Sequence, residues 1–313
     1  MSSGHQLGQD GSDLSPGILQ WVAHAMGPGT TIEAVRRVEG ATSSTLHRME
    51  AQHNGRTIKL VLRRFTNEAW LQEEPDVPLH EAASLRKVQA AGVPTPELVA
   101  CDPDGTRCGV PAVLMTELPG VVDLKPADRE DWLRQQAEVL LPIHAVDAGT
   151  YRWRYAPYND IAKLKPPGWS KVPKLWQRVL EIVSGPRPEA RECFIHRDYH
   201  PTNVLWKGSR ISGIVDWANA CRGPAMIDVA WCRANLAGLF GVAVADQFLH
   251  AYESVTASNC DYDPYWDLMV IMESLPGPPD VYPPWITFGV HGLSDALMLE
   301  RKDEYLASVM ARF

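Results

Sequence analysis

Ile195-His196-Arg197-Asp198-Tyr199-His200-Pro201-Thr202-Asn203-Val204-Leu205-Trp206 is the densest polar cluster in this 313-residue chain, with apolar residues on both sides. Its form is H-x-D-x-x-x-x-N. A further acid follows in Gly213-Ile214-Val215-Asp216-Trp217, an apolar run that ends on a carboxylate. Short β-branched and apolar runs at 193–195 and 211–215 predict strands that bracket the cluster. The order is therefore strand, polar loop, strand, Asp.

Phosphoryl transfer accounts for these residue types. The transferred group carries heavy negative charge, and magnesium bridges its oxygens. Magnesium takes hard oxygen ligands and keeps several waters, so one carboxylate (Asp216) and one amide oxygen (Asn203) suffice from the protein. The incoming hydroxyl must lose a proton and be held in line. Asp198 is the candidate base. A short loop that carries both Asp198 and Asn203 couples base to metal through covalent geometry. His196 reads as a packing and hydrogen-bonding residue, and His200 is left outside the catalytic set. A rival reading takes His196, Asp198 and His200 as an H-x-D-x-H metal cluster for hydrolysis; Asn203 and Asp216 fit phosphoryl transfer better.

Working toward the N-terminus, residues 31–38, 46–52 and 57–65 alternate as strands, with Asn54-Gly55 as a hairpin turn. The small-residue stretch Gly40-Ala41-Thr42-Ser43-Ser44 reads as a turn. Residues 80–91 have helical spacing and Gly92 stops them. Val93-Pro94-Thr95-Pro96 is extended, and 110–118 is a further strand broken by Pro119-Gly120. Beyond that break, 129–145 and 175–183 are helical, 151–173 is a Trp- and Pro-rich segment without clear periodicity, and helical patterns resume near Ile227 and after Ala243. A proline-rich loop, 276–284, precedes a C-terminal helix. The expected organisation is a tail (1–14), a small β-rich N-terminal nucleotide-binding lobe (15–119) and a larger helical catalytic and substrate-binding lobe (120–313).

Composition sets outer bounds. Net charge is −8, which speaks against a nucleic-acid partner and suits either a cationic substrate or ordinary solubility. No apolar run has the length of a membrane span, and residues 1–15 lack a secretory signal pattern. None of the six cysteines forms a C-x-x-C pair, so buried reduced thiols in the cytoplasm are expected. No obligate protein partner is evident. Of the 11 tryptophans, Trp153, Trp169 and Trp176 read as core. The scattered acids Asp246, Glu253, Asp261, Asp263, Asp267 and Glu273 read as a solvated helix face.

Together these motifs identify a resemblance to the aminoglycoside phosphotransferase and choline kinase-like superfamily, over nearly the whole chain. It rests on residues 196–205, on Ile214-Val215-Asp216-Trp217 and on Arg222-Gly223-Pro224-Ala225-Met226-Ile227-Asp228-Val229-Ala230. The resemblance implies an α+β, bilobal protein-kinase-like fold, with a small antiparallel β-sheet N-lobe bearing one helix and a larger mainly helical C-lobe. It implies Asp198 as base, Asn203 and Asp216 as Mg2+ ligands, and His196 and Asp228 as structural support for the loop. It places the phosphate-binding cation at Arg63 with Glu81 as its ion-pair partner, phosphate contacts at Ser43 or Ser44, and a nucleotide hinge at Glu117 and Leu118. ATP or GTP would be co-substrate and a small hydroxylated molecule the acceptor, with aminoglycosides and related antibiotics one implied class. Two positions depart from the family pattern. Arg63 stands where many relatives have Lys, and Arg197 where many antibiotic kinases have Gly; Arg and Lys are not interchangeable. No D-F-G or A-P-E signature marks a protein kinase. A catalytically inactive kinase-fold binding module is the alternative, and the presence of Asp198, Asn203, Asp216 and Arg63 speaks against it.

Overall fold

Asn54 and Gly55 adopt φ of 50° and 73°, the pair of positive values that a two-residue hairpin of matching twist requires. They join β2 (Thr45–His53) to β3 (Arg56–Arg64), which pair without a slip from His53↔Arg56 to Thr45↔Arg64. The computed structural model describes residues 14–38, 44–256 and 262–313. It divides into two units, one of residues up to Ala90 with Pro94–Leu118, the other of Ala91–Val93 with Pro119–Phe313.

In the first unit, β1 (Thr31–Val38), β2, β3, β4 (Leu98–Asp102) and β5 (Ala112–Thr116) form one antiparallel sheet in the order β1-β2-β3-β5-β4. Side chains alternate across a strand. Leu60 and Leu62 accordingly join Met49, Ala51, Ala112 and Leu114 in a core capped by Ile18 and Val22 of α1 (Pro16–Met26). Arg63 faces the other way, toward α3 (Val77–Ala90), whose Ala82, Leu85 and Val88 are buried. Where the sequence predicts one helix in this unit, the described residues form three: α1, the short α2 (Glu68–Glu73) and α3. Pro16 sits at the first helical turn of α1, where its missing N–H costs nothing. Leu14, assigned to the tail from sequence, is buried in the α1 core; residues 1–13 lie outside the described residues.

The second unit is mainly helical: α4 (Arg129–His144), α5 (Pro173–Val183), α6 (Met226–Phe240), α7 (Val242–Thr256), α8 (Tyr265–Glu273), α9 (Pro283–Thr287) and α10 (Asp295–Met310). Two small sheets accompany them. One orders β6 (Val121–Val122), β8 (Val204–Lys207) and β9 (Arg210–Ile214); the other pairs β7 (Glu192–Ile195) with β10 (Cys221–Pro224). Helix α9 overlaps the stretch expected to be proline-rich loop. The segment 151–173 has only a single 3-10 turn, Ile161–Lys163, because its prolines remove helix donors. Trp176 is fully buried, and Trp169 packs edge-on against it with centroids 5.6 Å apart. Burial pushes the thiols of Cys108, Cys193 and Cys221 up to about 12. No helix among the described residues is long and apolar enough to cross a membrane.

One charge holds four helices together. Arg233 of α6 has no exposed surface; it pairs with Asp267 of α8, with Asp246 of α7 at 2.8 Å and with the Tyr262 hydroxyl at 2.9 Å. Tyr305 of α10 donates to the other Asp267 oxygen at 2.7 Å. Asp267, 1% exposed, is therefore no part of a solvated face, contrary to the sequence reading. Removing one partner of a buried pair strands the other. Arg233→Ala should cost about 3–5 kcal/mol in urea denaturation, and the double replacement Arg233→Met with Asp267→Leu should recover a large part of that loss.

Candidate active site

The polar loop leaves β7 at Ile195 and enters β8 at Val204 through a 3-10 turn, Pro201–Asn203. Asp228, fully buried in the first turn of α6, fixes its start. One carboxylate oxygen accepts the Arg197 N–H at 2.6 Å; the other accepts the His196 N–H at 2.9 Å and lies 3.0 Å from His144 Nε2. His196 is also fully buried. Its Nε2 donates to the Val215 carbonyl at 2.9 Å, which leaves Nδ1 to accept the Asp198 N–H at 3.3 Å. One imidazole tautomer thus ties the loop to the end of β9. His144 escaped the sequence reading, although it sits in the last turn of a helix that reading predicted.

Asp198 is about one-third exposed at its side chain. Asn203 Nδ2 donates to the Asp198 carbonyl at 2.9 Å and lies 3.3 Å from its carboxylate. That fixes which way the amide points and leaves Oδ1 outside these contacts. The Val215 N–H donates to the Asn203 carbonyl at 3.0 Å, so Asn203 and Asp216 are carried on hydrogen-bonded neighbouring backbone positions. Two oxygen-donor side chains so placed suit a hard cation that draws its other ligands from water and phosphate. His200, 5% exposed, lies with Nε2 3.4 Å from the Asp198 carboxylate and Nδ1 2.7 Å from Thr202 Oγ1. His196 spends its Nε2 on a carbonyl, and among the described residues no three His, Cys, Asp or Glu side chains gather as a metal site. The hydrolytic reading through His196, Asp198 and His200 finds no support in this geometry.

Arg197 and Asp216 both occupy the left-handed region, with φ of 67° and 65°. Each costs about 1–2 kcal/mol relative to a residue without Cβ. Beside Arg197 lies Glu273, assigned to the solvated acids from sequence but 7% exposed in the structure. Its Oε1 accepts the Tyr155 hydroxyl at 2.5 Å, and burial raises its pKa above the carboxylate range.

The first unit holds its own charged group. Arg63, 5% exposed, donates from Nη1 to Glu81 Oε1 at 2.8 Å and from Nε to Ser44 Oγ at 3.0 Å. The rings of Phe65 and Trp70 lie 5.1 and 5.8 Å from its guanidinium carbon. Arg64 points away and donates to the Cys108 carbonyl. Ser43 lies outside the described residues. Glu117 donates its N–H to the Lys59 carbonyl, and its carboxylate lies 3.2 Å from Arg48. Leu118 makes no backbone hydrogen bond among the described residues.

A model of the phosphotransferase enzyme family matches residues 34–269. Among curated proteins, the chain is 23% identical over 193 residues to mouse acyl-CoA dehydrogenase family member 10, spanning 55% of this chain and 18% of that protein. It is 27% identical over 174 residues to the homoserine kinase of Rhizobium meliloti, spanning 48% of this chain and half of the relative. Among solved structures, a thermostable mutant of aminoglycoside phosphotransferase APH(4)-Ia in complex with ADP and hygromycin B superposes with a TM-score of 0.60. That match is 16% identical and covers 93% of this chain and 98% of the other, a likeness of fold.

Asp228 accepts from two backbone N–H groups, so an amide in its place turns one acceptor into a donor facing a donor. Asp228→Asn should lower stability by about 1–3 kcal/mol, read by chemical denaturation, with faster hydrogen exchange at the His196 and Arg197 amides.

Proposed function

Because the chain belongs to the phosphotransferase enzyme family, we propose that it transfers the γ-phosphoryl group of ATP or GTP, with Mg2+, to a hydroxyl of a small molecule. The observation that carries this reading is the coupling of Asp198, Asn203 and Asp216 through one short loop and one backbone hydrogen bond, Val215 N–H to Asn203. Asp198 takes the proton of the incoming hydroxyl and holds its oxygen in line. Asn203 Nδ2 keeps that carboxylate in place while its Oδ1, with Asp216, would hold magnesium. The ion, when bound, neutralises charge on the transferring phosphoryl group. Arg63, kept in orientation by Glu81 and Ser44, offers a guanidinium to the phosphates. Ser43, Glu117 and Leu118 complete the proposed nucleotide contacts.

The relatives' names point to different hydroxylated acceptors, homoserine in one and hygromycin B in another, so the acceptor is assayed rather than inherited. A coupled ADP- and GDP-release assay with Mg2+ and a panel of aminoglycosides, macrolides, amino-acid alcohols and sugars should show acceptor-stimulated release. Asp198→Asn should bind nucleotide and lose roughly 10²–10⁴ in turnover, the worth of a positioned base; full activity in that variant would sink the assignment. Asp216→Ala should weaken Mg-ATP binding measured by calorimetry, and an unchanged affinity would remove Asp216 from the ligand set.

A further inference from the structure

His200 opens the 3-10 turn that ends on Asn203, and its carbonyl accepts the Asn203 N–H at 2.9 Å. The residue is 5% exposed, and its ring is held on two sides. Thr202 Oγ1 lies 2.7 Å from Nδ1, and the Tyr282 ring stands edge-on with centroids 6.1 Å apart. The other ring nitrogen, Nε2, lies 3.2 Å from Asn203 Nδ2. Asp198 Oδ1 is 3.4 Å from Nε2, longer than an ordinary N–H···O bond. The Asn203 amide decides which of these groups donates. The Asp198 carbonyl, 2.9 Å from the same Nδ2, can only accept, so the nitrogen side of the amide must face it. An oxygen in that place would meet two further acceptors, the carbonyl and Asp198 Oδ2 at 3.3 Å. Asn203 is therefore the donor to His200, and Nε2 carries no proton. A neutral imidazole then keeps its proton on Nδ1, which donates to Thr202 Oγ1.

An amide nitrogen has two N–H groups to place. One goes to the Asp198 carbonyl, and the second is shared between the Asp198 carboxylate and His200 Nε2. With both engaged, the amide has no freedom to turn over. Its Oδ1 accepts no hydrogen bond among the described residues and is left for a cation. A histidine that served only to fill space would need neither ring nitrogen. Here both are spent, one on the turn itself and one on the amide that the turn delivers.

We propose that His200, kept in its Nδ1–H form by Thr202, is a positioning residue that turns the Asn203 amide so that Oδ1 faces the cation. This rests on the phosphotransferase reading above, in which Asn203 is a magnesium ligand. The test measures Mn2+ binding to the protein with AMP-PNP by electron paramagnetic resonance. Calorimetry in EDTA gives the nucleotide affinity without metal, and ADP release is followed across a Mg2+ titration. His200→Leu keeps bulk but loses both ring nitrogens. It should weaken Mn2+ binding about tenfold, the lower end of what a partner that orients a metal ligand is worth. Nucleotide affinity in EDTA should stay as in the wild type, and the lost turnover should return at high Mg2+. His200→Gln, whose Oε1 can stand in for Nε2, should restore part of the Mn2+ affinity. Thr202→Val has nearly the same shape but leaves Nδ1–H without its acceptor, so it should weaken Mn2+ binding in the same direction. Unchanged Mn2+ affinity in His200→Leu would overturn the proposal, as would a loss of turnover that added Mg2+ does not recover. If His200→Leu fails to fold, unchanged Mn2+ affinity in Thr202→Val overturns it instead. Each of those results, set against a wild type that binds Mn2+ and AMP-PNP together, leaves the phosphotransferase reading standing. A wild type that binds AMP-PNP no better with Mn2+ than in EDTA would remove both.

Discussion

The Asp228 carboxylate has no contact with solvent, and the shape of the polar loop follows from the groups it holds. A buried carboxylate is tolerated only when its oxygens are satisfied, and the N–H groups of a tight loop are equally costly when left orphaned. Asp228 meets both demands at once through His196 N–H, Arg197 N–H and His144. The left-handed conformation of Arg197 and the position of Asp198 follow, while the tautomer of His196 is set by the Val215 carbonyl. Because α6 supplies the carboxylate and α4 supplies His144, the loop inherits the rigidity of two helices.

The first unit applies the same electrostatic logic with the signs exchanged. Arg63 is a buried cation, satisfied by Glu81 and Ser44 and flanked by aromatic faces. Such an arrangement contributes little net stability, since desolvation offsets most of the Coulomb attraction. What it gains is direction: a forked donor is held in one orientation by a partner that cannot swing away. Arginine suits this role where lysine, a point charge on a flexible stem, would turn more freely.

Local chemistry was readable from sequence, and long-range burial was not. Asn54-Gly55 announces its hairpin because its dihedral demands are written in two residues. H-x-D-x-x-x-x-N announces its loop because base and amide are only five residues apart. Helix α1 went unread: its apolar residues follow a Ser- and Gly-rich stretch that looks like a tail, and only the sheet beneath gives Ile18 and Val22 something to bury against. The acids Asp267 and Glu273 looked like solvated charge because their partners, Arg233 and Tyr155, lie 34 and 118 residues away in the chain. The segment 151–173 has no periodicity to read, yet it supplies Tyr155 and Tyr158, whose places are set by contacts with Glu273 and Arg197.

The hairpin of β8 and β9 is gauged from its far end. Gln135, in the middle of α4, donates from its side-chain amide to the Ser209 carbonyl at 2.8 Å and accepts the Ile211 N–H at 3.2 Å. A single amide thus clasps the turn and the start of β9, whose pairing with β8 runs, past a register shift between Leu205 and Trp206, to Val204↔Ile214. Two strands can slide past one another by a residue, and a slide of that size turns every side chain to the opposite face. Gln135 seats the β9 side of the hairpin on α4. The strand that leads to Asp216 is thus anchored by a residue that touches neither Asp216 nor Asn203, and drift in helix α4 would carry β9 with it.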